Sequence, residues 1–204
     1  MKKRIAIIFI LMLACSLALC QEQRSRFHWG MEWGYGASAF KYWSNNYFDA
    51  KVGFRIWDEG HEFAFVPNAY AGLYAGFDLG RKLYLSLFSG TMGIYSDRRV
   101  IPLGLRATYA FKGQDSQGVL AYLGGGLCFH DFSIAAPGQY LQLGGGYRIK
   151  LGRSMDMDLL AHLRACDDHP SIWDEEDGAY VQKDNIRKNL AAYISFELGV
   201  AIRF

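Results

Sequence analysis

The chain has 204 residues, which is enough for one substantial domain. Hydrophobic residues make up 51% and aromatic residues 16%, with 23 glycines, yet the mean hydropathy is only -0.02, so apolar residues are interleaved with polar ones. The formal charge of +2 includes three cations at residues 2–4, without which it becomes −1. Nucleic-acid binding normally needs a basic patch. We therefore expect no nucleic-acid partner.

Residues 1–20 have the features of a secretory signal peptide. They begin with a basic segment, continue with an apolar run and end on small residues before Gln21. The apolar run is short for a membrane span. We predict a signal peptide at 1–20 and a single domain at 21–204, with acylation of Cys15 or Cys20 as an alternative to simple cleavage.

Eight segments of the remaining chain alternate apolar and polar residues with a period of two, which is typical of β-strands. These segments lie at about 27–37, 68–79, 83–95, 101–111, 119–129, 140–151, 156–166 and 190–204. The last is the clearest, because all of its even-numbered positions from Leu190 onward are apolar, while Glu197 and Arg203 fall on the other face. Single-chain bacterial barrels have an even number of strands, and eight satisfies that rule.

The connections between these segments are sorted by length. Those at 80–82, 112–118 and 152–154 are short, whereas those at 38–67 and 167–189 are long, and the two classes mostly alternate. Outer-membrane barrels have short periplasmic turns and long external loops. The first long connection also holds strand-like segments on either side of an acidic turn. It either forms a hairpin that extends the barrel or raises the number of strands to ten.

The polar face of the segments carries charges of both signs. They are Glu32, Asp78, Arg106, Arg148, Lys150, Asp158, Arg164, Glu197 and Arg203. Arginine predominates among the cations, which suits buried pairing with carboxylates. The interior of an eight-stranded barrel is just wide enough to be filled by side chains. We predict an all-β, antiparallel, transmembrane up-and-down barrel whose apolar face meets lipid and whose lumen is plugged by this charge network.

Aromatic residues of the apolar face lie near the strand ends, as in an interfacial girdle. They are Phe27, Trp29, Tyr109, Phe111, Tyr147 and Phe204.

The leader followed by Gln21, the alternating strands and a final strand, Ile194–Phe204, that ends on an aromatic residue resemble the small outer-membrane β-barrel families of Gram-negative bacteria, OmpA-like and PorT-like. The resemblance covers essentially the whole mature chain. It implies location in the bacterial outer membrane, contact with outer-membrane lipid and lipopolysaccharide, and recognition of the final strand by the barrel assembly machinery. The residues expected to form this insertion signal are Phe196, Leu198, Val200, Ile202 and Phe204.

The best functional interpretation is a non-catalytic outer-membrane protein with a structural or interaction role. Its external loops, 38–67 and 167–189, would contact a protein partner, and aromatic residues such as Trp43 and Trp173 suit such a contact. Two alternatives remain open. One is a narrow channel, and the other is a lipid A-modifying or peptidase-type enzyme at the external rim.

Two short clusters hold residue types that acid–base or nucleophilic catalysis needs. One joins His130 with Asp131 and Ser133, and the other joins Asp167 and Asp168 with His169. Short polar loops often have this composition, so we assign no catalytic residue.

Acidic residues and cysteines leave two further alternatives open. The acidic residues of 167–177 either bind a hard cation or form a solvated loop; without the spacing of a calcium loop we predict no metal and no cofactor. Cys128 and Cys166 either form a disulfide, which an exported compartment permits, or are small buried thiols.

Overall fold

The computed structural model describes residues 27–94, 99–130, 137–152, 154–169, 171–174 and 178–204. The predicted signal peptide lies outside this part of the chain. The described residues form the strands β1 (Phe27–Asp49), β2 (Phe54–Glu62), β3 (Val66–Asp78), β4 (Leu83–Met92), β5 (Val100–Ala110), β6 (Gly118–His130), β7 (Gly138–Lys150), β8 (Asp156–Asp168), β9 (Trp173–Asp174), β10 (Ala179–Tyr180) and β11 (Ile186–Arg203), with one 3-10 turn at Lys183–Asn185. Within them no helix is long and apolar enough to cross a membrane.

Eight of these strands close into an antiparallel barrel. Neighbours along the chain pair in the order β3-β4-β5-β6-β7-β8, β11 follows β8, and β1 lies between β11 and β3. The closing pair, β1 with β11, runs from Gly30 opposite Arg203 up to Tyr47 opposite Ile186. The predicted eight-stranded up-and-down barrel is therefore confirmed.

The first hairpin explains why the strand count stays at eight. The lower part of β1, Phe27–Ser38, pairs with β3, whereas its upper part, from Lys41 to Asp49, pairs with β2 along the same edge. Strand β2 therefore continues the line of β3 upward instead of adding to the wall. At about 3.3 Å per residue, the 23 residues of β1 span roughly 75 Å. We call the projecting part, made by β2 and the upper parts of β1 and β11, the extension.

Most of 38–67 is strand, as the hairpin alternative expects, because β1 continues to Asp49 and pairs there with β2. A bulge between Ser38 and Phe40 inserts one residue into β1 opposite β11. Such a bulge shifts the alternation of side chains by one residue. The period-two pattern therefore breaks at Ala39 although the strand continues.

The two ends of the barrel differ. The connections 79–82, 111–117 and 151–155 are tight and lie at one end, together with Phe27 and Phe204; we call it the turn end. The opposite end, the loop end, carries the remaining connections, the β9–β10 hairpin and the extension. This sorting of the connections matches the sequence expectation.

The barrel wall is apolar outside. Leu73, Leu105, Leu143 and Leu198 point outward, and each side chain is more than half exposed. At the turn end the Trp29 ring stacks on the Phe204 ring with centroids 4.6 Å apart. Strand β4, whose phase the sequence left unclear, follows the same rule, with its leucines outside and Tyr84, Ser86 and Phe88 buried inside.

Large aromatic side chains inside the barrel lie over glycines of neighbouring strands. Tyr70 is almost fully buried, and a Cβ atom added at Gly34 would overlap its ring. Any larger residue at Gly34 would therefore displace Tyr70 from the core.

Candidate functional site

The interior polar side chains form three layers, of which the basal cluster lies nearest the turn end. It consists of Gln114, Arg148, Asp156, Asp158 and Arg203, all buried. Arg148 donates two hydrogen bonds of 2.7 Å to Asp158. Arg203 donates one of 2.6 Å to Asp156. Both guanidinium groups also donate to Gln114, at distances from 2.7 to 3.2 Å. Gln114 therefore links the two ion pairs.

Gln114 belongs to the turn 111–117, which folds inward and covers the turn end of the lumen. Its backbone N–H donates to the Arg81 carbonyl oxygen at 2.8 Å, and its side-chain amide donates to the Lys82 carbonyl oxygen at 2.9 Å. The sequence does not indicate this residue, because a single glutamine in a turn has no periodic signal. Asp156 was not predicted as part of the network either, although it lies two residues before Asp158 and so shares its face of the strand.

Two predicted network members lie at the margin of the lumen. The Lys150 ammonium is 2.8 Å from Asp156 and is partly exposed. Asp78 lies 3.1 Å from the His28 ring near the turn end. Both residues therefore lie at the edge of the charge network.

The central pair joins Glu32 on β1 with Arg106 on β5. Arg106 donates to both carboxylate oxygens of Glu32, whose side chain is fully buried. The Arg106 guanidinium carbon lies 4.8 Å from the Phe88 ring centroid and 4.9 Å from that of Tyr122. The geometry combines a two-point ion pair with cation–π contacts.

The upper cluster, toward the loop end, consists of Tyr122, Gln142, His162, Arg164 and Glu197. Glu197 lies 2.7 Å from Arg164 and 2.8 Å from His162. His162 also contacts the Tyr122 hydroxyl at 2.8 Å, and Arg164 donates to Gln142 at 3.2 Å. Arg164 and Glu197 were predicted members of the charge network, whereas His162 and Gln142 were not.

The space left between these layers is small. Among the described residues, the void beside the basal cluster and the central pair measures about 20 Å³. That is room for about one water molecule.

Above the upper cluster a larger cavity of about 370 Å³ lies at the loop end. We call it the vestibule. Arg164 and Glu197 line it together with residues of the extension such as Lys41, and Cys166 also lines it.

Two cysteines meet beside the vestibule. Cys128 on β6 and Cys166 on β8 are thiols, with their sulfur atoms 3.6 Å apart.

The extension is held by hydrogen bonds between aromatic and acidic side chains. The Tyr42 hydroxyl donates to Glu59, and the Trp57 indole donates to the same carboxylate at 3.1 Å. The Trp43 indole donates to Asp58 at 3.1 Å. The hydrogen bond from Tyr42 holds the pKa of Glu59 below its ordinary value and raises the pKa of the Tyr42 hydroxyl.

The candidate catalytic clusters give no assembled site in the described part of the chain. His169 lies 2.6 Å from the Asn189 carbonyl oxygen, and its backbone N–H donates to Asp168 at 2.7 Å. Asp131 and Ser133 lie outside the described residues, and of His130 only the backbone, which ends β6, belongs to them.

The acidic residues of the last connection are only partly described. Residues 175–177 lie outside the described part of the chain. Asp168 and Asp174 are buried, so a fully solvated acidic loop is wrong for these two. No group of three or more His, Cys, Asp or Glu side chains in the described ranges is placed to hold a metal ion.

The comparisons with known proteins identify a fold. No protein-family model matches the sequence, and no curated protein matches it. Among solved structures, the outer membrane protein OprG from Pseudomonas aeruginosa superposes with a TM-score of 0.50 at 12% identity, over 87% of this chain and 95% of that chain. Neisserial surface protein A superposes with a TM-score of 0.46 at 16% identity, over 89% of this chain and 98% of that chain. The N-terminal β-barrel domain of Pseudomonas aeruginosa OprF superposes with a TM-score of 0.44 at 15% identity, over 89% of this chain and 100% of that chain.

At 12% identity, the likeness to OprG establishes the fold alone. Together with the closed strand order, it defines this chain as a β-barrel of the outer-membrane type. The finer assignment to OmpA-like or PorT-like families stays a prediction.

Proposed function

We propose that this chain is an integral protein of the bacterial outer membrane, without catalytic activity, whose closed barrel carries an interaction surface at its loop end. The observation that supports it most is the inverted distribution of polarity. Leucines such as Leu73 and Leu143 are exposed outside, while Glu32 and Arg106 are buried inside.

The energetics of this distribution favour lipid over water. Exposing a leucine to water forfeits about 1.5–3 kcal/mol that its burial would contribute. Soluble monomers rarely expose contiguous apolar patches beyond a few hundred Å². In a bilayer the same surface is matched by acyl chains, and the closed barrel satisfies its backbone hydrogen bonds internally. Each outward leucine is then in a favourable environment.

The orientation follows from the sorted connections. Outer-membrane barrels keep short turns in the periplasm and long loops outside. With that orientation the basal cluster faces the periplasm, and the vestibule and extension face the cell exterior. Phe204 and Trp29 then lie at the periplasmic interface, where aromatic side chains are favoured.

The three interior layers support a barrel that does not conduct. A path for ions would have to separate the Arg148–Asp158 and Arg203–Asp156 pairs and displace Gln114, which links them. Breaking one buried pair costs about 3–5 kcal/mol because it leaves a charge uncompensated. The narrow-channel alternative therefore has no support in the geometry.

The extension supports a role in contacts outside the cell. Phe54 and Trp57 on β2 are largely exposed, and so are Phe63 and Phe65 directly after it. Hydrogen bonds to Glu59 and its neighbours hold the hairpin in place. A rigid hairpin with exposed aromatic side chains offers large contact area at a small entropic cost. The proposed partner is a protein that binds segment 38–67, with segment 167–189 beside it.

Two experiments test this proposal. The first asks whether the protein fractionates with outer membranes and migrates faster in detergent gels when unheated than when boiled. The expected result is membrane location with a heat-dependent shift, and a soluble protein without the shift would contradict it. The second measures conductance in planar bilayers.

The conductance experiment needs a matched control. We expect no stable conductance steps from the unaltered protein, while the double variant Gln114→Ala, Arg203→Ala, which removes the centre of the basal cluster, should show brief openings. Stable nanosiemens steps from the unaltered protein would overturn the closed lumen without touching the membrane location.

A further inference from the structure

Cys128 and Cys166 meet although their strands are not neighbours. Cys128 lies on β6 and Cys166 on β8, with β7 between them, and the two sulfur atoms are 3.6 Å apart. A disulfide bond is about 2.0 Å long, so the sulfur atoms must approach by roughly 1.6 Å. Strand β7 separates their strands, and a disulfide spans at most about 7 Å between Cα atoms, so closure requires β6 and β8 to approach each other at the loop end as well as rotation of both side chains.

The intervening strand leaves room for this contact. The cross-strand partner of Cys128 on β7 is Gly138, which has no side chain, and the partner of Cys166 on that strand is Tyr140. A Cβ atom added at Gly138 would collide with the carbonyl oxygen of Asp167, the residue after Cys166. Glycine at this position therefore lets β7 and β8 approach closely where the two thiols meet.

The two thiols differ in access. Cys166 is partly exposed and lines the vestibule, whereas Cys128 is only 2% exposed and belongs to the buried core cluster. A small reagent that enters the vestibule therefore meets Cys166 first. Reactivity of a cysteine depends on such access as well as on its thiolate character.

We propose that Cys128 and Cys166 form a redox-active pair, in which Cys166 reacts first with a disulfide-bearing oxidant and Cys128 completes an internal disulfide. The Cys166 thiolate attacks one sulfur atom of the oxidant, breaks its S–S bond and expels one thiolate. The Cys128 thiolate then attacks Cys166 in the mixed disulfide and expels the second thiolate. Two electrons pass to the oxidant, and the two cysteine protons end on its two thiols.

The product would join β6 to β8 at the vestibule wall. It closes a chain segment between residues 38 apart in sequence, in a compartment where disulfides persist. Its formation in the cell rests on the proposed export of the chain. The reactivity of the two thiols in the folded barrel does not depend on export. The proposed export and the proposed thiol chemistry can therefore fail separately.

The test uses the full mature chain, reduced, folded in detergent and treated with oxidised glutathione. Intact mass spectrometry should show the loss of two hydrogens, and both thiols should become unreactive to a maleimide. The proposal is overturned if both thiols remain free after the reaction with oxidised glutathione has reached equilibrium.

Single variants test the order of the two steps. Cys128→Ser should accumulate a glutathione adduct on Cys166, whereas Cys166→Ser should react at least about tenfold more slowly, because Cys128 is buried. A heat-dependent gel shift confirms that each variant is folded. Equal adduct rates in the two folded variants would refute the assigned order, and adduct on neither would refute reaction through the vestibule.

Discussion

The central pair provides the sharpest test of the buried network. We consider Glu32→Leu, Arg106→Met and the double variant that combines them. Glu32 has a fully buried side chain and Arg106 a 7% exposed one, so neither charge can be rehydrated when its partner is lost. Removing one member of such a pair costs about 3–5 kcal/mol.

The two single variants should differ in a definite direction. In Glu32→Leu the Arg106 guanidinium keeps its contacts with the rings of Phe88 and Tyr122, which retain about 1 kcal/mol of stabilisation. We therefore expect a loss of about 3 kcal/mol for Glu32→Leu and about 4 kcal/mol for Arg106→Met, within the range for broken buried pairs. The double variant replaces both charges with apolar groups and should lose less than either single variant.

The assay is urea unfolding of the barrel in lipid vesicles, followed by fluorescence of the five tryptophans. A matched control is the Lys41–Glu62 pair of the extension, whose atoms are 3.4 Å apart and whose side chains are 35% and 48% exposed. Glu62→Leu should cost less than about 1 kcal/mol. The reasoning is refuted if Glu32→Leu costs no more than this control, or if the double variant loses the sum of the two single losses.

Three further predictions concern the turn end, the lipid face and the extension. Gln114→Ala should destabilise the barrel by about 1–3 kcal/mol in the same assay, because Arg148 and Arg203 each lose a hydrogen bond to the side-chain oxygen of Gln114. A loss near zero would show that water replaces the amide. Leu198→Arg, near the middle of the outward apolar band, should lower the free energy of unfolding in vesicles by about 2–4 kcal/mol. Ile194→Arg, closer to the loop end, should lower it by less. Equal losses would contradict a dependence on depth in the membrane. Because the folded pKa of Glu59 lies below its ordinary value of 4.5, its hydrogen bond from Tyr42 stabilises the extension above that pH and is lost as the pH falls through the lowered pKa. Limited proteolysis of the hairpin should therefore speed up at acid pH, and Tyr42→Phe should remove most of that dependence; an unchanged dependence in the variant would contradict the assignment.

The candidate site was only partly predictable. The sequence placed Arg148, Arg164 and Glu197 on one face, because strand periodicity assigns each residue to a side without any knowledge of its neighbours. It did not indicate which acid meets which base. Arg106 and its partner Glu32 are 74 residues apart, and their contact depends on how the sheet curves and closes.

The extension was predictable in outline and not in detail. The sequence offered a hairpin or ten strands, and the pairing of β2 along the edge of β1 above β3 selected the hairpin. The bulge between Ser38 and Phe40 hid the continuity of β1, because one inserted residue reverses the alternation.

The sequence by itself determined the class of fold and the inverted polarity, because a period of two is a local property that each strand carries alone. Only the tertiary structure decided the three layers of ion pairs, the inward fold of Gln114, the vestibule and the meeting of Cys128 with Cys166. These features join residues from distant strands, and their distances are fixed only when β1 and β11 close the barrel.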